Sequence, residues 1–100
     1  MYSKDNLSKL TKIGKPSPEA TSALHTWDKA ALTEGAIPKK YKELIALAVA
    51  LTTQCPYCLE LHRQEAVKAG ATEQERTEVI HAAALRAGAA VTHGTHLLGS

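Results

Sequence analysis

Apolar positions recur at helical spacing along most of the chain. After the polar, lysine-bearing residues 1–16, Ser17-Pro18-Glu19 has the form of a helix start. A serine can cap, a proline suits the first helical position, and a glutamate there meets the positive end of the dipole. Ala20, Leu24, Trp27 and Ala31 then share one face, and Gly35 closes the segment. Pro38 opens a second segment, KKYKELIALAVALTTQ. Its apolar run alone is compatible with a buried strand, but it sits within a longer span of good helix formers, so it reads as a buried helix. A third helix begins at Pro56 and ends at Gly70. Thr72-Glu73-Gln74-Glu75 is a capping box that opens a fourth. That helix carries Val79, Ile80, Ala83, Leu85 and Ala87, and its pattern runs past Gly88 toward Leu97. No repeat, low-complexity tract or convincing strand interrupts the series. The expected fold is all-α: an N-terminal arm, residues 1–16, and one helical domain, residues 17–100.

Composition adds an expectation about assembly. The chain has 4% aromatic residues and no Phe, with alanine abundant instead. Contacts between such helices each bury little area, so burial against a partner subunit is expected. The formal charge of +2 gives no argument for nucleic acid. Lys4, Lys9, Lys12 and Lys15 place part of it in the arm, which reads as solvated. The longest apolar run, Leu44 to Leu51, falls far short of the ~20 residues that span a bilayer. MYSKDNLSKL has no secretory apolar stretch, so no membrane association and a cytoplasmic setting are expected. In that compartment a C-x-x-C pair is catalytic or metal-binding more often than a structural staple.

That pair lies in QCPYCLELH, residues 54–62. CPYC is the tetrapeptide of glutaredoxins, which carry it directly after a first strand and need a later cis-proline. Here 54 residues precede Cys55, the preceding segment is helical, and no proline follows Pro56. The thioredoxin fold is therefore excluded, and the dithiol belongs to another scaffold.

Cys55 falls at a helix start and Cys58 within the first turn, where unpaired N–H groups and the dipole favour a thiolate. His62 lies four residues on, hence on the same face. These surroundings make Cys58 the candidate nucleophile and Cys55 the residue that resolves a sulfenic acid into a disulfide. Glu43 has an ordinary explanation, an i,i+4 pair with Lys39 worth a few tenths of a kcal/mol. It also shares a stripe with Leu47, Ala50 and Gln54. If the second and third helices form a hairpin turning at Thr52–Thr53, Glu43 comes level with His62 and can orient it or relay its proton. Zinc on Cys55, Cys58 and His62, with His81, His93 or His96 as a fourth ligand, is the rival reading. It lacks a second clear ligand pair. His25 and the three later histidines read as structural or exposed.

Glu43, Cys55, Cys58 and His62 together resemble the E-x11-C-x2-C-x3-H signature of alkyl hydroperoxidase D-like proteins, of the carboxymuconolactone decarboxylase superfamily. The similarity runs through KELIALAVALTTQCPYCLELHRQEAVKAGAT and covers roughly residues 17–97. It implies an all-α fold whose helical hairpin carries the site, and homo-oligomers, commonly trimers or hexamers. It implies a thiol-dependent peroxidase acting on hydroperoxides: Cys58 attacks, Cys55 resolves, and His62 and Glu43 relay the proton. The reductant is a dithiol, in the family a lipoylated adaptor protein, and no haem, metal or other cofactor is required. Where the prototype has a histidine before its attacking cysteine, this chain has Tyr57. That departure keeps general dithiol–disulfide exchange or redox sensing open as an alternative, beside a zinc-stabilised module without catalysis. The decarboxylase branch lacks the paired cysteines and is disfavoured.

Overall fold

A computed structural model describes residues 2–88 and 90–99, without the side chain of Ala87. A 3-10 segment (Lys4–Lys9) leads into α1 (Leu10–Gly14), followed by α2 (Pro18–Leu32), α3 (Lys39–Thr53), α4 (Pro56–Lys68) and α5 (Glu73–Ala87). A short α6 (Ala90–His93) and a 3-10 turn (Gly94–Leu97) end the described chain. No strand occurs among the described residues, and no helix is long and apolar enough to cross a membrane.

The helix boundaries follow local chemistry. Pro18 and Pro56 occupy first-turn positions, where a missing N–H costs nothing. Ser17 holds the N-cap position of α2, but its hydroxyl makes no capping bond. Thr72 and Glu75 form the reciprocal capping box of α5, at 3.0 and 2.9 Å. The end of α2 falls at Leu32, before Gly35, and two lysines of α3 serve its terminal carbonyls. Lys39 Nζ donates to Leu32 O at 3.5 Å and Lys42 Nζ to Thr33 O at 2.8 Å. At the end of α4, Gly70 takes φ +93° and Ala71 N–H returns to Ala66 O at 2.9 Å. That is the left-handed closure that glycine adopts without Cβ strain.

The α3–α4 hairpin forms the centre of the structure, and α5 packs beside α3. Leu44, Leu47, Ala66 and Ala71 make the core cluster, with Leu59 and Val79 against it. Lys40 of α3 and Glu75 of α5 close the packing at 2.9 Å. The Thr72 amide, and then Lys40, hold the Glu75 carboxyl below the usual carboxylate range.

This core is small. Trp27 is 74% exposed, and Leu24, Val49, Ile80 and Leu85 are exposed as well. The radius of gyration is 16.9 Å, against about 13 Å for a compact domain of this length. Accessible surface is 7792 Å², where a folded monomer of 10.7 kDa shows about 5,500 Å². The helical face of Ala20, Leu24, Trp27 and Ala31 exists as the sequence indicates, and among the described residues no other part of the chain covers it.

The residues read as a solvated arm are mostly exposed, yet they are helical and attached. The backbone N–H of Ser3 donates to Tyr57 Oη at 3.2 Å, and Asn6 Nδ2 donates to the same oxygen at 2.7 Å. The rings of Tyr2 and Tyr57 meet edge to face with centroids 4.8 Å apart. Lys4 Nζ lies 3.7 Å from Glu60 Oε1.

Candidate functional site

The reversal that builds the site occupies Gln54 and Cys55, later than the Thr52–Thr53 centre expected. Helix α3 continues through Thr53, and Gln54 then adopts the left-handed conformation (φ 55°, ψ 50°). Its N–H and that of Cys55 both turn back to Ala50 O. Cys55 is extended and becomes the N-cap of α4, with its Sγ accepting from the Cys58 N–H at 3.4 Å. The first cysteine thus takes the place a serine or aspartate usually holds at a helix start.

Cys55 and Cys58 are joined in a disulfide, with Cα atoms 5.3 Å apart. Both are half-buried. One turn along the same face stands His62, whose side chain is 22% exposed. Its Nδ1 lies 2.7 Å from Glu43 Oε1 on α3. Glu43 is fully buried, the single polar residue in that class among those described. Its other oxygen, Oε2, accepts from Lys39 Nζ at 3.0 Å. The pairing with Lys39 and the contact with His62 therefore coexist, one on each carboxylate oxygen.

A carboxylate only accepts hydrogen bonds, so His62 Nδ1–H donates to Glu43, and in the neutral ring Nε2 is the nitrogen that carries the lone pair. A buried charge needs partners, and Lys39 and His62 supply them. The arrangement fixes the ring and its tautomer and leaves one nitrogen available for proton transfer.

His25, His81, His93 and His96 are exposed. No group of three or more His, Cys, Asp or Glu side chains among the described residues is arranged to hold a metal ion. Two participants were not singled out from the sequence. Lys39 was recognised only as an ion-pair partner, and it also ties Glu43 to the end of α2. The N-terminal segment meets the site through Tyr57, and the i,i+3 spacing of Leu7, Leu10 and Ile13 was the available signal of a helical face.

Glu60, on α4 beside Tyr57, accepts from Arg63 Nη2 at 2.9 Å and Gln64 Nε2 at 3.0 Å. These bonds lower its carboxyl to about 2.

Comparison with known proteins gives the family. A sequence model of the Carboxymuconolactone decarboxylase family matches residues 18–98. An uncharacterised protein of the cox locus of Paracoccus denitrificans is 41% identical over 93 residues, covering 92% of this chain and 81% of its own. An uncharacterised protein of Cupriavidus necator is 37% identical over 68 residues, and the match spans 60% of that protein's length. The crystal structure of an apo carboxymuconolactone decarboxylase family protein from Legionella pneumophila superposes with a TM-score of 0.78 at 40% identity. That match covers 83% of this chain and 74% of the Legionella protein. By the extent of the family match and by its shared helical fold, this chain belongs to the carboxymuconolactone decarboxylase family, within the superfamily that includes the alkyl hydroperoxidase D-like proteins.

Proposed function

We propose that the chain is a thiol-dependent peroxidase, and that it works as a homo-oligomer. The observation that carries the reading is the Cys55–Cys58 disulfide at the start of α4 with the Glu43–His62 pair one turn away. In the reduced chain, His62 Nε2 takes the proton of the Cys58 thiol. The thiolate attacks the terminal oxygen of a hydroperoxide ROOH, so that an S–O bond forms and the O–O bond breaks. The products are Cys58 sulfenic acid and an alkoxide, which takes the proton from His62 and leaves as the alcohol ROH.

Cys55 then attacks the sulfenic sulfur. The S–S bond forms, and hydroxide leaves with the Cys55 proton as water. An external dithiol reduces the disulfide in two exchange steps and becomes a disulfide itself. Helix-start N–H groups and the imidazole favour the thiolate. Glu43 and Lys39 hold the ring in place.

Addition of an organic hydroperoxide to the reduced protein should remove two thiols per chain. Cys58→Ser should lose dithiol-dependent turnover altogether; full turnover in that variant ends the proposal. Disulfide exchange on protein substrates is the second reading. Tyr57 favours it, because its hydroxyl is engaged by Ser3 and Asn6 and stands where the prototype has a relay histidine. A comparison of peroxide consumption with disulfide exchange on one preparation separates the two.

A further inference from the structure

The N-terminal segment does more than lie on the surface. With α4 it encloses an open pocket of about 450 Å³ lined by Asn6, Leu7, Lys9, Leu10, Tyr57, Cys58 and Leu61. Cys58, the proposed attacking residue, is part of the wall. Three leucines face the same space, and Lys9 and Asn6 supply its polar side. The segment precedes residues 18–98, the part that matches the family model.

The segment is held in place by several contacts of different kinds. Tyr57 Oη accepts from the Ser3 amide and from Asn6 Nδ2, its ring meets Tyr2, and Lys4 reaches Glu60. All of the anchors lie on the first turns of α4. Residue 57 sits between the two cysteines, so the tyrosine couples the pocket wall directly to the dithiol.

We propose that Leu7 and Leu10 select reaction partners of Cys58 that carry an apolar group, and that Tyr57 is the positioning residue that keeps their wall in place. A hydroperoxide reacting at this sulfur leaves as an alkoxide, so its substituent has to lie beside the sulfur as the O–O bond breaks. An apolar wall there removes hydrocarbon from water, which favours a partner with an apolar substituent. Hydrogen peroxide has no substituent and gains nothing from it. The choice of hydroperoxide as the ligand rests on the peroxidase reading; the selection of an apolar group at Cys58 does not.

Alkylation tests the pocket without peroxide chemistry. Reduced Cys55→Ser protein is treated with iodoacetamide and with N-phenyl iodoacetamide, which share the reacting carbon and differ in the apolar ring. The ratio of the two rates at Cys58 should exceed that of free glutathione by about tenfold. In Leu7→Asp/Leu10→Asp the ratio should fall to the glutathione value. Tyr57→Phe keeps the ring and loses the hydroxyl, and its ratio should fall part of the way. A ratio equal to that of glutathione, or one the double substitution leaves unchanged, overturns the proposal.

With both cysteines present, the kcat/KM ratio of cumene hydroperoxide over hydrogen peroxide should fall in the double variant by a similar factor. Selective alkylation without any peroxide turnover would overturn the peroxidase reading and support the pocket. Turnover without selectivity would overturn the pocket and leave the peroxidase standing.

Discussion

Glu43 Oε1 and His62 Nδ1 meet at 2.7 Å across the α3–α4 hairpin, with the carboxylate buried and the imidazole 22% exposed. The bond joins two helices and also decides which imidazole nitrogen is free. Glu43→Gln keeps the shape of the side chain and loses the charge that orients the ring. Its reaction with an organic hydroperoxide should slow by at least about tenfold, as expected for a disturbed proton-transfer group. Rapid-mixing measurement of thiol loss checks this, and an unchanged rate removes Glu43 from the relay.

Glu43→Ala leaves Lys39 and His62 without their shared acceptor. Breaking a fully buried pair costs about 3–5 kcal/mol. Lys39 is 41% exposed and regains water, so about 2 kcal/mol is expected here. Urea unfolding reads the difference.

Acid should loosen the start of α4. Arg63 and Gln64 lower the Glu60 carboxyl from 4.5 to about 2 in the folded chain. The folded value lies below the unfolded one, so the contribution is complete above about 4.5 and disappears as pH falls toward 2. Glu75, lowered by the Thr72 amide and then Lys40, acts in the same direction. Glu60→Gln should flatten the fall in stability between pH 4.5 and 2, read from thermal melts. A slope identical to that of the parent contradicts the assignment.

Gly70→Ala isolates a backbone effect. A Cβ at Gly70 meets nothing within 4 Å, but φ is +93°. The cost should be about 1–2 kcal/mol, all of it conformational. A melting temperature at or above the parent value would contradict this.

Association is the outcome expected from the surface described above. The excess of exposed area is comparable to that of a stable protein–protein interface, on the order of 2,000 Å². Sedimentation at micromolar concentration should give a mass well above 10.7 kDa. A single species at the chain mass would contradict a homo-oligomer.

Much of this architecture was readable from local signals. Pro18, Pro56 and the Thr72–Glu75 box mark helix starts through chemistry confined to a few residues, and the structure keeps all three. The meeting of Glu43 and His62 was accessible because a hairpin converts sequence separation into proximity. The turn itself was misplaced because left-handed Gln54 carries no glycine to announce it. Periodicity marked the face of Trp27 but could not say what covers it. The attachment of the N-terminal segment was hidden because its bonds to Tyr57 span 51 and 54 residues, beyond any local pattern.

Ala66, fully enclosed one turn beyond His62, packs in the core cluster with Leu44 and Leu47 of α3. A methyl group therefore acts as the spacer that sets how near the imidazole comes to its carboxylate. A bulkier side chain there, such as Ala66→Val, would push the helices apart, at about 1–3 kcal/mol of overpacking. The proposed redox centre would then fall silent with every one of its polar atoms intact, because its tuning depends on a residue that has no chemistry of its own.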